Sequence, residues 1–147
     1  MSPNLQAFLD MIAVSEGTAG KGDDGYNVIV GGSLFEGYAD HPRKLVWLRP
    51  GLASTAAGRY QLLSRYYDAY KKQLNLPNFS PLSQDLIAIQ QIKERGALQD
   101  IEKGYISIAI DKVKNIWASL PGAGYNQHEN KLDKLITAYK DAGGTVA

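Results

Sequence analysis

A chain of 147 residues, 44% hydrophobic and 21% charged, has the means to bury one proper core, and its formal net charge of +1 offers no global field for a nucleic acid. Cysteine is absent, which excludes disulfides and thiol nucleophiles and leaves the redox compartment open. No apolar run approaches the roughly 20 residues of a membrane span, and the polar, then amphipathic start lacks the basic head and apolar stretch of a secretory signal. The expectation is a soluble protein made in the cytoplasm, a single α+β domain over residues 1–147.

In chain order, Leu5, Phe8, Leu9, Ile12 and Ala13 recur at threes and fours and predict a helix that ends on Glu16, just before Gly17. Residues 17–25, GTAGKGDDG, read as a loop. Next, Val28, Ile29 and Val30 meet the Gly31-Gly32 pair and then Leu34 and Phe35, a hairpin signal because paired glycines supply positive φ angles. A weaker strand is expected at Leu45–Leu48. From Ala56 onward helix signals dominate, with Tyr60, Leu63, Tyr67 and Tyr70 on one stripe. A further helix starts with Ser80 as N-cap and Pro81 at its first position and stops at Gly96. Shorter helices fit Ala97–Lys103 and Ile106–Trp117, and the last, about Glu129–Ala142, stops at Gly143-Gly144. The architecture expected is mostly helical, with a small antiparallel β-hairpin region near the N-terminal third. The aromatics Tyr66, Tyr67, Tyr70, Trp117 and Tyr139 fall on helical stripes and read as core.

Most catalytic chemistries find no residues here. A metal site would have to be built on His41 and His128, which are far apart and in no ligand spacing, so no metal and no cofactor are expected. No Gly-x-Ser-x-Gly elbow exists for a serine nucleophile. The glycine-rich loop lacks the Gly-Lys-Ser/Thr ending of a phosphate-binding loop and precedes no helix. Carboxylate chemistry remains. Glu16 lies four residues after Ile12, on the face that carries Leu5, Leu9 and Ile12. Facing the core removes water from its carboxylate, and a negative charge in the last turn opposes the helix dipole. Both effects favour the protonated acid, which is what general-acid catalysis on sugars requires. A glycoside hydrolase usually needs a second carboxylate, and Asp23, Asp24, Glu36 and Asp40 are available without any one standing out. From the residues alone, Glu16 reads equally well as a plain helix-end residue.

Six blocks alter that balance. AFLDMIAVSEGT, GYNVIVGGSLF, DHPRKLV, AGRYQLLSRYYDAY, QQIKERGAL and NIWASLPGAGY, spread from about Leu5 to Thr145, resemble the lambda-type phage endolysin family in the same order. The resemblance implies a lysozyme-like fold and a lytic transglycosylase that cuts the β-1,4 bond between N-acetylmuramic acid and N-acetylglucosamine, leaving a 1,6-anhydromuramic end. It makes Glu16, in Ser15-Glu16-Gly17, the single catalytic residue, acid first and base afterwards, so that no second carboxylate is needed. It also suggests Gln61 and Tyr60 of AGRYQ, with Tyr125 and Asn126 of AGYN, as substrate-binding residues, and Ser15 and Ser54 as polar groups lining the cleft. Tyr26, at the foot of the hairpin, is a candidate for stacking on a sugar face. The chain departs from the family after Glu16: the loop is shorter, and Asn27 stands where the family carries an acid. No carboxylate of the hairpin therefore receives a role. The implied partners are peptidoglycan glycan strands and a holin that lets the protein out of the host cytoplasm to the cell wall. Nucleic acid and membrane insertion are not expected, and the working form is a monomer. The alternatives are a hydrolytic muramidase of the same fold, with Asp24 or Asp40 directing water, and a wall-binding module without activity.

Overall fold

The computed structural model describes residues 1–124 and 128–147. Its elements run α1 (Pro3–Glu16), β1 (Val46–Arg49), β2 (Leu52–Ser54), α2 (Ser64–Gln73), α3 (Pro81–Glu94), α4 (Leu98–Glu102), α5 (Ile106–Val113) and α6 (Leu132–Asp141). The α+β class expected from the sequence is therefore observed. Two compact units divide the chain, one made of Met1–Gly17 with Ala88–Ala147 and the other of Thr18–Ile87. The boundary falls inside α3.

The first unit is organised by α1. Ser2 caps it, its hydroxyl accepting from the Leu5 N–H at 3.1 Å, and Pro3 takes the first helical position, where no N–H is needed. Leu5, Ala7, Phe8, Leu9, Met11, Ile12 and Ala13 are all buried, so the helix is covered almost all round rather than along one stripe. It packs on α4 and α6, whose Ile101, Leu135 and Tyr139 are buried. Gly17 ends the helix at φ 77°, and its N–H returns to the carbonyls of Ala13 and Val14. That left-handed cap is what a side chain would strain, since no atom crowds the position. The later helices are shorter than expected. α5 stops at Val113, with Trp117 buried beyond it, and α6 starts at Leu132 because Asn130 is buried and its amide groups bond elsewhere.

In the second unit the hairpin at 28–34 forms only one bridge, Val28 to Leu34, with Gly31 and Gly32 at φ 92° and 107°. The ordered ladder lies instead at the weaker strand. β1 and β2 pair antiparallel with Val46 opposite Ser54 and Trp47 opposite Ala53. The residues of the first hairpin have other partners: the Val30 N–H goes to Ala56 O at 3.0 Å, and Val28 O accepts from Gly58 at 2.8 Å. The helix expected from Ala56 begins only at Ser64. Ala57 and Leu62 exchange backbone hydrogen bonds around a turn in which Gly58 and Gln61 have φ 86° and 53°. A Cβ at Gly58 would run into Gln84 and Phe79, so the turn needs both the glycine's φ and its missing side chain. Tyr60 consequently leaves the stripe of Tyr67. α3 starts as expected, with Ser80 Oγ accepting from the Ser83 N–H at 3.3 Å.

Ala57, Tyr67, Leu76, Phe79 and Ile87 form the core of this unit. Tyr67, Trp117 and Tyr139 are core residues as expected, whereas Tyr66 is 45% exposed. His41 is buried: its ring lies 4.9 Å from that of Phe79, its Nε2 donates to Leu62 O, and its Nδ1 accepts from the Arg43 N–H. Those bonds hold it as a neutral imidazole, and burial pushes its pKa down. His128 is exposed.

Candidate active site

Glu16 is the last residue of α1, half-buried, and its environment is unusual for a carboxylate. Ser119 donates to its Oε2 at 2.5 Å. Behind Ser119 stands Ser15, with 2.7 Å between the two hydroxyl oxygens. Asn130 follows, its side-chain amide donating to Ser15 O at 2.9 Å and to Ser15 Oγ at 3.2 Å, while its own N–H donates to Ser119 O at 2.8 Å. Lys134 donates to Asn130 Oδ1 at 3.1 Å. Burial raises the Glu16 pKa from 4.5 to about 7, and the Ser119 hydroxyl works in the opposite direction. The sum is a carboxyl group close to half protonated at neutral pH, able to give up a proton and take one back. Ser15, a candidate for lining the cleft, is buried, so it belongs to the support of Glu16 and not to a sugar-binding surface.

The second unit gathers Tyr26, Tyr60, Arg59 and Asp85. Both phenols donate to Asp85 Oδ1, at 2.8 Å from Tyr26 and 2.6 Å from Tyr60, and their rings meet edge to face at 6.4 Å between centroids. The Arg59 guanidinium lies over both rings, 5.3 Å from Tyr26 and 5.7 Å from Tyr60. Burial, together with the Asp85 charge, pushes Tyr26 up to about 12 and Tyr60 higher still, so both remain donors. Tyr60 is 6% exposed and packs, whereas Tyr26 keeps part of its ring open. Gln61 spends its amide hydrogens on Gly58 O at 2.9 Å and Val28 O at 3.3 Å. Its carbonyl is therefore the end that can meet a ligand, as an acceptor. Ser54 accepts from the Ala56 N–H at 3.0 Å, a local turn contact. Tyr125 and Asn126 lie outside the described residues.

Most of the possible second carboxylates are engaged. Asp23 accepts from the Tyr38 hydroxyl at 2.6 Å. Asp24 accepts from the Gly20 N–H and from Arg59. Asp40 takes two bonds from Arg43, which hold its carboxyl below the usual range. Glu36 is exposed. Among the described residues no cluster of His, Cys, Asp and Glu is able to hold a metal ion. Sequence reasoning missed Ser119, Asn130 and Asp85, which come from chain segments far from the residues they serve, and no spacing in the sequence marks them.

The chain matches known proteins in both sequence and structure. The family model described as Endolysin matches residues 6–146. The chain is 64% identical to the endolysin of Escherichia phage lambda over 145 residues, covering 96% of this chain and 92% of that one. It is 54% identical to the endolysin of Escherichia phage P2 over 157 residues, covering 98% and 95%. Among solved structures it is similar to bacteriophage lambda lysozyme complexed with a chitohexasaccharide, with a TM-score of 0.98, 62% identity and coverage of 100% and 98%. A second structure of lysozyme from bacteriophage lambda gives 0.93 and 61%, with the same coverage.

Proposed function

The chain belongs to the endolysin family, with the lysozyme-like fold, and from that premise we propose that residues 1–147 act as one catalytic domain, a monomeric lytic transglycosylase with Glu16 as its single acid and base. The substrate is the glycan strand of peptidoglycan. Protonated Glu16 donates to the glycosidic oxygen while the bond from that oxygen to C1 of the muramic acid breaks and positive charge spreads over the ring. The Glu16 carboxylate then takes the proton from the 6-hydroxyl of the same sugar, whose oxygen closes on C1. The acid is regenerated, no water enters, and the product carries a 1,6-anhydro ring.

The observation that carries this reading is the state of Glu16: a half-buried carboxyl group raised to about 7, held at one oxygen by a hydroxyl. The engagement of Asp23, Asp24 and Asp40 supports a route that needs no second carboxylate over hydrolysis. Tyr26 offers a ring for a sugar face and Gln61 a carbonyl for a sugar hydroxyl, with Tyr60 holding Tyr26 through Asp85. Ser54, Tyr125 and Asn126 complete the proposed contacts with the glycan. The related lysozyme was solved with a chitohexasaccharide, a chain of the same linkage class, which supports a glycan strand as ligand. Among the described residues no helix is long and apolar enough to cross a membrane. Membership of the endolysin family supports passage from the host cytoplasm to the wall through a holin.

Mass spectrometry of muropeptides released from purified sacculi tests the chemistry. Products lighter by one water than the hydrolytic ones, and lost with Glu16→Gln, are expected. Reducing-end products of full hydrolytic mass overturn the mechanism, and release of nothing by the wild type leaves a wall-binding module.

A further inference from the structure

The side chains behind Glu16 form a single file, Lys134 to Asn130 to Ser15 to Ser119 to Glu16, with steps of 3.1, 3.2, 2.7 and 2.5 Å. A file of hydroxyls can run in either direction, since each both donates and accepts. This one has a fixed end. The Asn130 amide nitrogen lies against Ser15 O, and its oxygen lies against the Lys134 ammonium. Turning the amide over would set oxygen against carbonyl and NH2 against ammonium, losing both bonds. Asn130 therefore presents hydrogens and no acceptor to Ser15 Oγ at 3.2 Å, with Ser15 O nearer at 2.9 Å and Ser119 O further at 3.5 Å. Either hydroxyl of the Ser15–Ser119 pair can donate, but with no acceptor on Asn130 the single Ser15 hydrogen finds its acceptor, among the described residues, in Ser119, and the Ser119 hydrogen is left for Oε2 of Glu16.

We propose that Asn130, held by Lys134, sets the direction of this file, so that Ser119 always donates to Oε2 and the exchangeable proton of Glu16 is confined to Oε1. A proton on Oε2 would face the Ser119 hydrogen, so a protonated Glu16 carries it on the other oxygen. Oε1 is then the atom that gives the proton to the leaving group and recovers it from the 6-hydroxyl. Asn130 and Lys134 touch neither Glu16 nor the reacting atoms in this account; they are positioning residues, acting through Ser15 and Ser119. The proposal rests on the reading of Glu16 as the acid. The same file favours the ionised form and so opposes the upward effect of burial. Several other charged groups of this unit have partners elsewhere: Asp10 of α1 accepts from Gln6, Asp100 of α4 pairs with Lys112, Lys114 pairs with Asp111, and Glu129 accepts from Gly122 and Gly124. The Tyr139 hydroxyl donates to Thr145 O. On α6, Lys134 is the cation that reaches the file.

The test is the titration midpoint of Glu16, followed by the carbon-13 shift of its side-chain carboxyl in substrate-free protein, with the pH profile of wall lysis beside it. Salt near about 0.5 M screens through-space effects of the exposed lysine. Asn130→Asp replaces the donor at Ser15 Oγ with an acceptor and brings a like charge. It is expected to raise the midpoint by about one pH unit, with the alkaline limb of lysis following. Lys134→Met, at an exposed position, is expected to raise it by less, and Lys134→Arg to restore it. A purely structural role leaves the Lys134→Met midpoint in place at that salt, whereas the charge added by Asn130→Asp raises its midpoint with or without the file. An unchanged or lowered midpoint in Lys134→Met therefore overturns the proposal, whatever Asn130→Asp shows. Because the titration needs no substrate, it remains decisive even if the released products prove hydrolytic, so the two readings fail separately.

Discussion

Two carboxylates of this chain, Glu16 and Asp40, carry the same functional group into opposite electrostatic extremes. Asp40 and Asp68 sit exposed on either side of Arg43, whose guanidinium bonds to both and holds both carboxyls below their ordinary range. Glu16 has a hydroxyl where Asp40 has a cation, and less water, and its pKa moves up instead. The difference teaches what qualifies a carboxylate as an acid. A polar, well-bonded neighbourhood is not enough, because a cation stabilises the form that has already lost its proton. Burial beside neutral donors leaves the proton available near neutral pH.

Glu16→Gln should break the comparison most severely. Removing the acid is expected to cost about a thousandfold or more in the rate of lysis. The same variant has a thermodynamic signature with a definite sign. The fold raises Glu16 from 4.5 to about 7, so between those values the native chain holds a proton that the unfolded chain has released. Stability conferred by this group is complete below about 4.5 and falls as pH rises through 7, by about 3 kcal/mol in total. Glutamine has no such slope. Urea unfolding at pH 5 and pH 8 should therefore show the variant gaining on the wild type with rising pH. An equal difference at both values would mean that Glu16 is not raised.

Ser119→Ala should act less strongly and in one direction. It removes the hydroxyl that, among the described residues, lowers the Glu16 pKa, so the alkaline limb of lysis should move to higher pH, and Ser119→Thr should bring it back. It also takes away the acceptor of the Ser15 hydroxyl, at a cost of about 1 kcal/mol in stability. A limb that stays in place would mean that this hydroxyl does not set the acid.

How much of this was legible in the sequence follows from the range over which each contact acts. The helix ending on Glu16 and the Ser80-Pro81 helix start were readable because caps and periodicity are written within a few residues. Glu16 itself was readable as a carboxylate on an apolar face, a conflict between neighbouring positions. The onset of α2 was not readable, because the turn through Gly58 and Gln61 is fixed by Phe79 and Gln84, some twenty residues further on. The two hairpins exchanged importance for a similar reason: the first gives its backbone groups to residues 56–58, leaving the ladder to Val46–Ser54. Ser119 and Asn130 are ordinary polar residues until folding sets them behind Glu16. Asp85 likewise acquires its meaning only from two tyrosines lying 59 and 25 positions away.

Arg43→Met should produce the smallest effect, and its smallness is informative. Arg43 sits at φ 55°, its guanidinium carbon 5.7 Å from the centroid of the Tyr67 ring, and its partners are exposed. Exposed ion pairs contribute little, and salt screens what they contribute. The sign is opposite to that at Glu16. Asp40 is held below 3.8 in the fold, so the stability it adds is present above that value and disappears as pH falls through its folded pKa. The variant should accordingly lose a little stability at neutral pH and in low salt, and almost none in acid or high salt, with the rate of wall lysis unchanged. That last outcome separates the two carboxylates functionally. Freed of its arginine, Asp40 becomes an ordinary solvated carboxylate, and a hydrolase that used it to direct water would respond in rate and in pH profile. A transglycosylase that uses Glu16 alone has no reason to respond. A marked change in lysis, or the appearance of full-mass reducing ends with Arg43→Met, would return Asp40 to the reaction as its second carboxylate.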